Sequence, residues 1–202
     1  VEKKNITGMT YQLSNETGHG EITVYRVFTG IELYYNDMHM EYCNQNQATV
    51  KNMIEINHCL IGRFECSFGE NSCCYMAEGD LSISSMMKKK SNSCFPLNHY
   101  HGISIIINLD ELLPEVRRIM ELLNIDLHYI QSIYVKVTAA ALCGLTRLLN
   151  IFFRNSIMSG KKRKPGYMKI KMLELLLFLS DLNTAEEVLQ TDYFNQNQVA
   201  LI

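Results

Sequence analysis

Two histidines, His99 and His101, are the residues of this chain whose type and spacing could do chemistry. They open the segment NHYHGISIIINLDEL, residues 98–112. Residues i and i+2 of a β-strand point to the same side of the sheet. Both imidazoles therefore share a predicted face with Ile103, Ile105 and Ile107. The three isoleucines indicate that this face is the inside of a barrel, with the histidines near one mouth.

Three interpretations of the histidine pair remain open. A buried polar group without a partner costs about 1–3 kcal/mol, so these rings need each other, water, a metal or a ligand. His58, on the predicted inward face of its own strand, is a further partner. The pair is then a satisfied structural pair, a contact for a small organic ligand, or a metal centre.

The metal-centre interpretation suggests an enzyme, because the spacing resembles the HxH motif of cupin metalloenzymes. That motif also requires a nearby Glu and a further His on a later strand. Here no Glu follows His101 before Glu111, and His128 falls in the helical half. The sequence also carries no Ser/His/Asp elbow, phosphate loop or paired-carboxylate signature. These departures weaken the enzyme hypothesis.

Composition fits one globular domain, or one domain with an appendage. The chain has 202 residues, 47% hydrophobic and 20% charged, with a formal net charge of −2. With this charge the chain lacks the strongly basic character that binds the phosphates of nucleic acid. The basic run Lys161–Lys164 is typical of a solvated loop. Seven cysteines, an odd number without regular spacing, indicate a reducing cytoplasm. The longest apolar run, Leu175–Leu179, is too short to span a membrane.

The first half is predicted to be β and the second half α, which gives an α+β fold. Short runs of β-branched and aromatic residues, divided by turns, predict a small sandwich or barrel over residues 21–109. Thr29-Gly30 and Glu78-Gly79-Asp80 mark two of the turns. Gly62, between two strand-like runs, predicts a hairpin. From Asp110 the period changes, and Pro114 suits the first turn of a helix.

Two later helices are predicted to form an antiparallel hairpin. Their apolar positions recur at helical spacing in residues 138–156 and 165–182. The apolar face of these helices is wider than one packing partner can cover. This favours a homodimer contact over packing on the barrel alone. The predicted dimer residues are Leu142, Leu145, Leu149, Phe152, Met168, Met172, Leu175 and Leu179.

The last residues predict that the chain leads into another segment. Thr184 and Glu187 form a capping-box pattern, which starts a helix. The apolar pattern then runs to Ile202 without a helix stop signal. We expect residues 110–190 to be a helical region and residues 191–202 to be the start of a linker.

Several segments together resemble the sensor part of the AraC/XylS family of transcription regulators, in a clostridial-type branch. They are IEINHCLIGRFEC, YMAEGDLSIS, FPLNHYHGISIIINLDEL and YMKIKMLELLLFLSDL. The resemblance covers about residues 22–201. It implies a cupin-like, jelly-roll barrel that binds an effector, a helical dimerisation hairpin, and a helix-turn-helix module that this sequence lacks. It also implies that the polar residues 1–20 form an arm over the barrel mouth.

The resemblance also implies where an effector binds. His101 is the best candidate, with His99 beside it, and His58, Tyr35 and Arg63 follow. The predicted function is a non-enzymatic, cytoplasmic, bacterial sensor and dimerisation domain. It would need no cofactor or metal, bind an unknown small effector, and contact DNA only through the missing module. The alternative is a cupin-type metalloenzyme that uses His99 and His101.

Overall fold

The computed structural model describes residues 8–44, 52–68, 72–85, 90–134, 140–141 and 165–181. Within these ranges the chain forms strands first and helices afterwards, apart from one short late strand. The strands are β1 (Met9–Asn15), β2 (Gly18–Phe28), β3 (Ile31–His39), β4 (Tyr42–Asn44), β5 (Met53–Phe68), β6 (Ser72–Ala77), β7 (Leu81–Ser85), β8 (Lys90–Cys94), β9 (Tyr100–Asn108) and β10 (Ala140–Ala141). The helices are a 3-10 turn (Leu109–Glu111), α1 (Pro114–Leu122), α2 (Leu127–Tyr134) and α3 (Pro165–Asp181).

The strands form a nearly closed antiparallel barrel, which confirms the predicted fold of the first half. One path of paired strands runs β1-β2-β3-β9-β5-β7-β10. A second group, β4, β8 and β6, is joined to it through β5. Both predicted turns are confirmed, because β2 ends before Thr29-Gly30 and β6 ends before Glu78-Gly79.

The hairpin predicted at Gly62 is wrong, because β5 continues through this glycine. Gly62 has φ +89°, and the β5–β9 register shifts between Cys59 and Ile61. A shift of this kind is a β-bulge, which bends a strand and increases its twist. Before the bulge β5 pairs with β7, and after it β5 pairs with β6 and β8. The glycine therefore lets one strand serve both walls of the barrel.

The isoleucine face of β9 is the outer face of the barrel, which reverses the predicted orientation. Ile103, Ile105 and Ile107 belong to one buried cluster with residues of α1, α2 and α3. A second cluster, on the other side of the same strands, includes Met38 and Tyr100 and fills part of the barrel interior. The sheet thus has two covered faces, and the more apolar one packs against helices.

Helix α1 begins at Pro114 as predicted, and α3 spans Pro165–Asp181 within the predicted range. The stripe of α3 that was assigned to a dimer contact is instead buried by the chain itself. Its residues belong to the cluster shared with the sheet: Met168, Met172, Leu175 and Leu179. The other predicted dimer residues, Leu142, Leu145, Leu149 and Phe152, lie outside the described residues. The helical hairpin and the homodimer stay predictions.

Part of the predicted N-terminal arm, residues 1–20, is a strand. From Met9 it forms β1, which pairs with β2 over the full length of the strand, from Met9↔Val24 to Asn15↔Gly18. Residues 1–7 and 191–202 lie outside the described residues, as does the basic run 161–164. Of the helices that the structure describes, none combines the length and apolar character needed to cross a bilayer.

Candidate functional site

A cavity of about 410 Å³ lies inside the barrel, on the face opposite the helices. Its walls come from strands of both groups, so the closure of the barrel creates it. It is lined by Leu13, Ile22, Glu32, Tyr34, Asn36, Met38, Cys43, Asn44, Met53, Glu55, Asn57, Phe64, Ser93, Phe95, Tyr100, Ser104 and Ile106. The volume falls within the range of about 300–1,000 Å³ that is typical of small-molecule sites.

One wall of the cavity is polar and is built by β3 and β9. The register pairs Tyr34 with Ser104, and the Asn36 amide Nδ2 donates to Ser104 Oγ at 3.0 Å. The Tyr34 hydroxyl donates to Glu32 Oε2 at 2.8 Å. Burial, and then this hydrogen bond to a carboxylate, raise the pKa of Tyr34 well above its usual value. Ionisation of Tyr34 is therefore disfavoured even at alkaline pH.

A second carboxylate, Glu55 of β5, is buried at the cavity with 5% of its surface exposed. Ser84 Oγ donates to its Oε2 at 3.2 Å. Asn57, two residues along the same strand, is also buried. Burial of a carboxylate is costly unless it is paired or hydrogen-bonded. A barrel that needed only a stable core would place apolar residues at these positions.

A group of aromatic side chains also lines the cavity. Phe95 and Tyr100 stack with ring centroids 5.3 Å apart, and Phe64 lies 5.5 Å from Tyr100. Burial raises the pKa of Tyr100 above its usual value. The cavity thus combines flat apolar surfaces with hydrogen-bonding side chains, which is the usual composition of a site for a small organic molecule.

None of the five predicted ligand-binding residues is among the residues that line this cavity. His58 is 1% exposed, and its Nδ1 lies 3.1 Å from the carbonyl oxygen of Asp80. Since a carbonyl only accepts, Nδ1 carries the proton there. Tyr35 packs edge-on against Tyr25 on the helix-covered face. Arg63 is exposed and pairs with Glu65 at 2.9 Å.

His99 and His101 do come together, but in a different place from the predicted barrel mouth. They gather with His39, the last residue of β3, on the outer face of the sheet. The His99 and His101 ring centroids are 4.7 Å apart, and those of His39 and His99 are 4.9 Å apart. Asp37 lies among them, with Oδ1 2.9 Å from His39 Nε2 and 3.4 Å from His101 Nδ1. Burial, opposed by Asp37, leaves the pKa of His101 below its usual value.

The sequence contained signals for the residues that the prediction missed. Polar residues alternate with apolar ones in IELYYN (Glu32, Tyr34, Asn36) and in Glu55-Ile56-Asn57. This alternation is typical of a strand with one polar, solvent-accessible face, and here that face lines a cavity. His39 and Asp37 are also two residues apart, like His99 and His101. Only the pairing of β3 with β9 brings these two sets together.

No protein-family model matches the chain, and no curated protein matches its sequence. Solved structures do match its fold. The AraC-like transcriptional activator CuxR superposes with a TM-score of 0.54 at 8% identity, over 90% of this chain and 74% of that one. The chain therefore shares the fold of this structure over most of its length.

Two further similar structures are barrels of the cupin type. A conserved protein with a double-stranded beta-helix domain from Klebsiella pneumoniae has a TM-score of 0.40 at 11% identity, over 49% of this chain and 84% of that one. A cupin 2 conserved barrel domain protein from Rhodopseudomonas palustris has a TM-score of 0.37 at 17% identity, over 52% and 72%.

Proposed function

We propose that this chain is the sensing part of an AraC-type transcription regulator and that its barrel cavity binds a small polar organic effector. The cavity carries the proposal, because it has the volume of a ligand site and a wall of hydrogen-bonding groups. The fold shared with CuxR supports the regulatory role.

The charges around the cavity narrow the class of effector. Two carboxylates, Glu32 and Glu55, line it, and none of the described lining residues is Lys, Arg or His. An anionic ligand would meet both carboxylates here, although Glu32 is also in an ion pair with Arg26 at 3.4 Å. A neutral hydroxylated molecule or an organic cation fits better, since both offer donors to carboxylate and amide oxygens. The aromatic side chains Phe64, Phe95 and Tyr100 add flat surfaces for a ring or an ammonium group.

Strand β9 offers a route from the cavity to the helices. Ser104 and Ile106 line the cavity, while Ile103 and Ile105 pack in the cluster that contains α1, α2 and α3. A ligand that prefers one position of this strand shifts the population of helix arrangements, by no more than its differential affinity. In the proposed function these helices belong to a cytoplasmic homodimer, and a separate helix-turn-helix module binds DNA.

The sensor hypothesis is favoured over a cupin-type metalloenzyme by the position of the histidines. An enzyme of that type needs its metal beside the substrate. His99 and His101 are instead separated from the cavity by the thickness of the sheet, because His101 shares a face with Ile103 and not with Ser104. The proposed activity is therefore binding, without catalysis at the cavity.

A thermal-shift screen tests the proposal with three matched sets of compounds: neutral sugars and polyols, organic amines, and carboxylates. A ligand at 100 times its Kd should raise the melting temperature by about 5–10 °C. We expect hits among the neutral compounds or the amines. Ser104→Leu, which replaces a hydrogen-bonding group of the polar wall with a larger apolar side chain, should reduce or abolish the shift, and His101→Ala on the other face should keep it.

Two results would count against the cavity as the binding site. One is a set of hits confined to carboxylates, because the two carboxylates of the cavity wall should disfavour anionic compounds. The other is a shift that survives in Ser104→Leu and is lost in His101→Ala. That pattern would place the ligand at the histidines, as the sequence alone predicts.

A further inference from the structure

Three imidazoles converge on the outer face of the barrel, away from the cavity. One ligating nitrogen from each of His39, His99 and His101 can be chosen so that all lie within 4.8 Å of one another. We propose that these three histidines form a binding site for a divalent transition-metal ion of the Zn²⁺ class, separate from the effector cavity. Imidazole nitrogen is a preferred ligand of Zn²⁺, Cu²⁺ and Ni²⁺.

The spacing of the ligating atoms fits a tetrahedral ion. With metal–nitrogen bonds of about 2.0–2.1 Å, ligand atoms around a tetrahedral Zn²⁺ are about 3.3–3.4 Å apart. The Nδ1 atoms of His39 and His99 are 3.3 Å apart. The remaining distances, up to 4.8 Å, close by small rotations of side chains that are not fully buried. Three protein ligands would leave the fourth position of the ion for water or another group.

Asp37 is placed to orient two of the three rings. Its Oδ1 contacts Nε2 of His39 and Nδ1 of His101, which leaves the second nitrogen of each ring for a cation. Carboxylates in this position fix the ring and its tautomer in many metal sites. This Oδ1 atom is shielded from solvent, yet it accepts no well-aligned hydrogen bond. A small rotation of either ring would align its N–H on this oxygen, and a cation on the other ring nitrogen would strengthen that hydrogen bond.

The backbone holds the ligands in place before any ion binds. His39 ends β3, and Asp37 is in register with His101 across β3 and β9. His99 precedes β9, and its carbonyl lies so close to Gly62 that a Cβ there would come within 2.1 Å of the oxygen. The bulge in β5 therefore sets how closely the backbone of His99 packs against Gly62. A partly exposed cluster of this kind is open to ions from solution.

The outer face also separates this site from the effector cavity. Met38 and Tyr100, the chain neighbours of the ligands, point to the other side and line the cavity. A bound ion would tie the end of β3 to the start of β9, two strands that also form the polar wall of the cavity. The metal site is thus distinct from the effector site and mechanically close to it.

Titration of the metal-free protein with Zn²⁺, against a chelator of known affinity, tests the proposal. We expect one ion per chain. His39→Ala should weaken binding at least about 100-fold, and Asp37→Asn about 10–100-fold. His128→Ala, which removes an exposed histidine of α2, should leave the affinity unchanged. Unchanged melting temperatures of the metal-free variants show that each one folds.

Cobalt replaces zinc as a spectroscopic probe of the ligands. We expect the intense visible absorption of tetrahedral Co²⁺ without sulfur-to-metal charge-transfer bands. Charge-transfer bands would assign the ion to cysteines and overturn the proposal. So would one ion per two chains, an affinity unaffected by His39→Ala, or the absence of any binding at millimolar Zn²⁺.

Discussion

Asp37 and His101 face each other across β3 and β9, with Oδ1 of the aspartate 3.4 Å from Nδ1 of the histidine. Their chain neighbours Met38 and Tyr100 point to the opposite side and line the barrel cavity. One pair of strands therefore carries two different chemistries. Its outer face presents nitrogen and oxygen ligands, and its inner face presents the wall of a small-molecule site.

The packing of α3 on the sheet predicts a large loss of stability when this contact is truncated. Leu176 is fully buried in the shared cluster. Leu176→Ala should lower the free energy of unfolding by about 2–5 kcal/mol, measured by urea denaturation. Leu122→Ala on α1, where the side chain is 70% exposed, is the control and should change it by less than about 0.5 kcal/mol. Equal effects of the two variants would contradict the observed packing.

The bulge at Gly62 predicts that Gly62→Ala is destabilising. Its φ of +89° is a conformation that L side chains rarely adopt, and the added Cβ would meet the His99 carbonyl. We expect a loss of more than about 1 kcal/mol in urea denaturation. Gly166→Ala, where nothing lies within 4 Å of the added Cβ, should be neutral or slightly stabilising. A neutral Gly62→Ala would mean that β5 does not bend here.

The burial of Cys59 predicts a loss of stability at alkaline pH. Burial, helped by the nearby carboxylates of Asp80 and Glu78, raises the pKa of this thiol to about 12. The unfolded chain releases the proton near pH 8.5, so stability is full below that pH and falls as pH rises toward 12. The slope contributed by this group is at most about 1.4 kcal/mol per pH unit.

Urea denaturation between about pH 7.5 and pH 9, a unit below the ordinary pKa of tyrosine, measures this slope. Cys59→Ala should show a flatter dependence than the wild type, whatever its stability at pH 7. The same burial predicts that iodoacetamide does not alkylate Cys59 in the folded protein. Rapid alkylation, or an identical slope in the variant, would show that the thiol is accessible.

A homodimer, if it forms through α3, must use the side of the helix that the chain leaves open. Tyr167 and Ile170 are exposed there, with 42% and 63% of their surfaces accessible. Ile170→Glu should shift the mass in light scattering from dimer to monomer without unfolding the protein. Arg118→Glu, an equally exposed change on α1, should not. A wild type that is monomeric at high concentration would contradict the dimer prediction.

The sequence alone was sufficient to predict the strands, turns and helix starts that depend on local signals. Alternating β-branched residues predicted the barrel strands, Thr29-Gly30 predicted a turn, and Pro114 predicted the start of α1. These features depend on backbone preferences over a few residues, so no knowledge of the tertiary structure is needed. The segment at Gly62 was different, because a positive φ suits a tight turn and a bulge equally well.

The orientation of the faces could not be deduced from the apolar pattern alone. The pattern of β9 correctly separated Ile103, Ile105 and Ile107 from Ser104. It could not say which side was inside, because helices cover the outer face and a cavity occupies the inner one. The more apolar face was therefore assigned to the wrong side. The cluster of His39 with His99 was missed because it depends on which strands pair.

The central claim, that the barrel cavity is the effector site, is tested most directly by NMR of protein labelled at the methionine methyl groups. Met38 and Met53 line the cavity, whereas Met168 and Met172 are buried between α3 and the sheet. The compound with the largest thermal shift should move the Met38 and Met53 signals first and most. Changes confined to Met168 and Met172, or to the exposed Met9, would place the ligand elsewhere and contradict the claim.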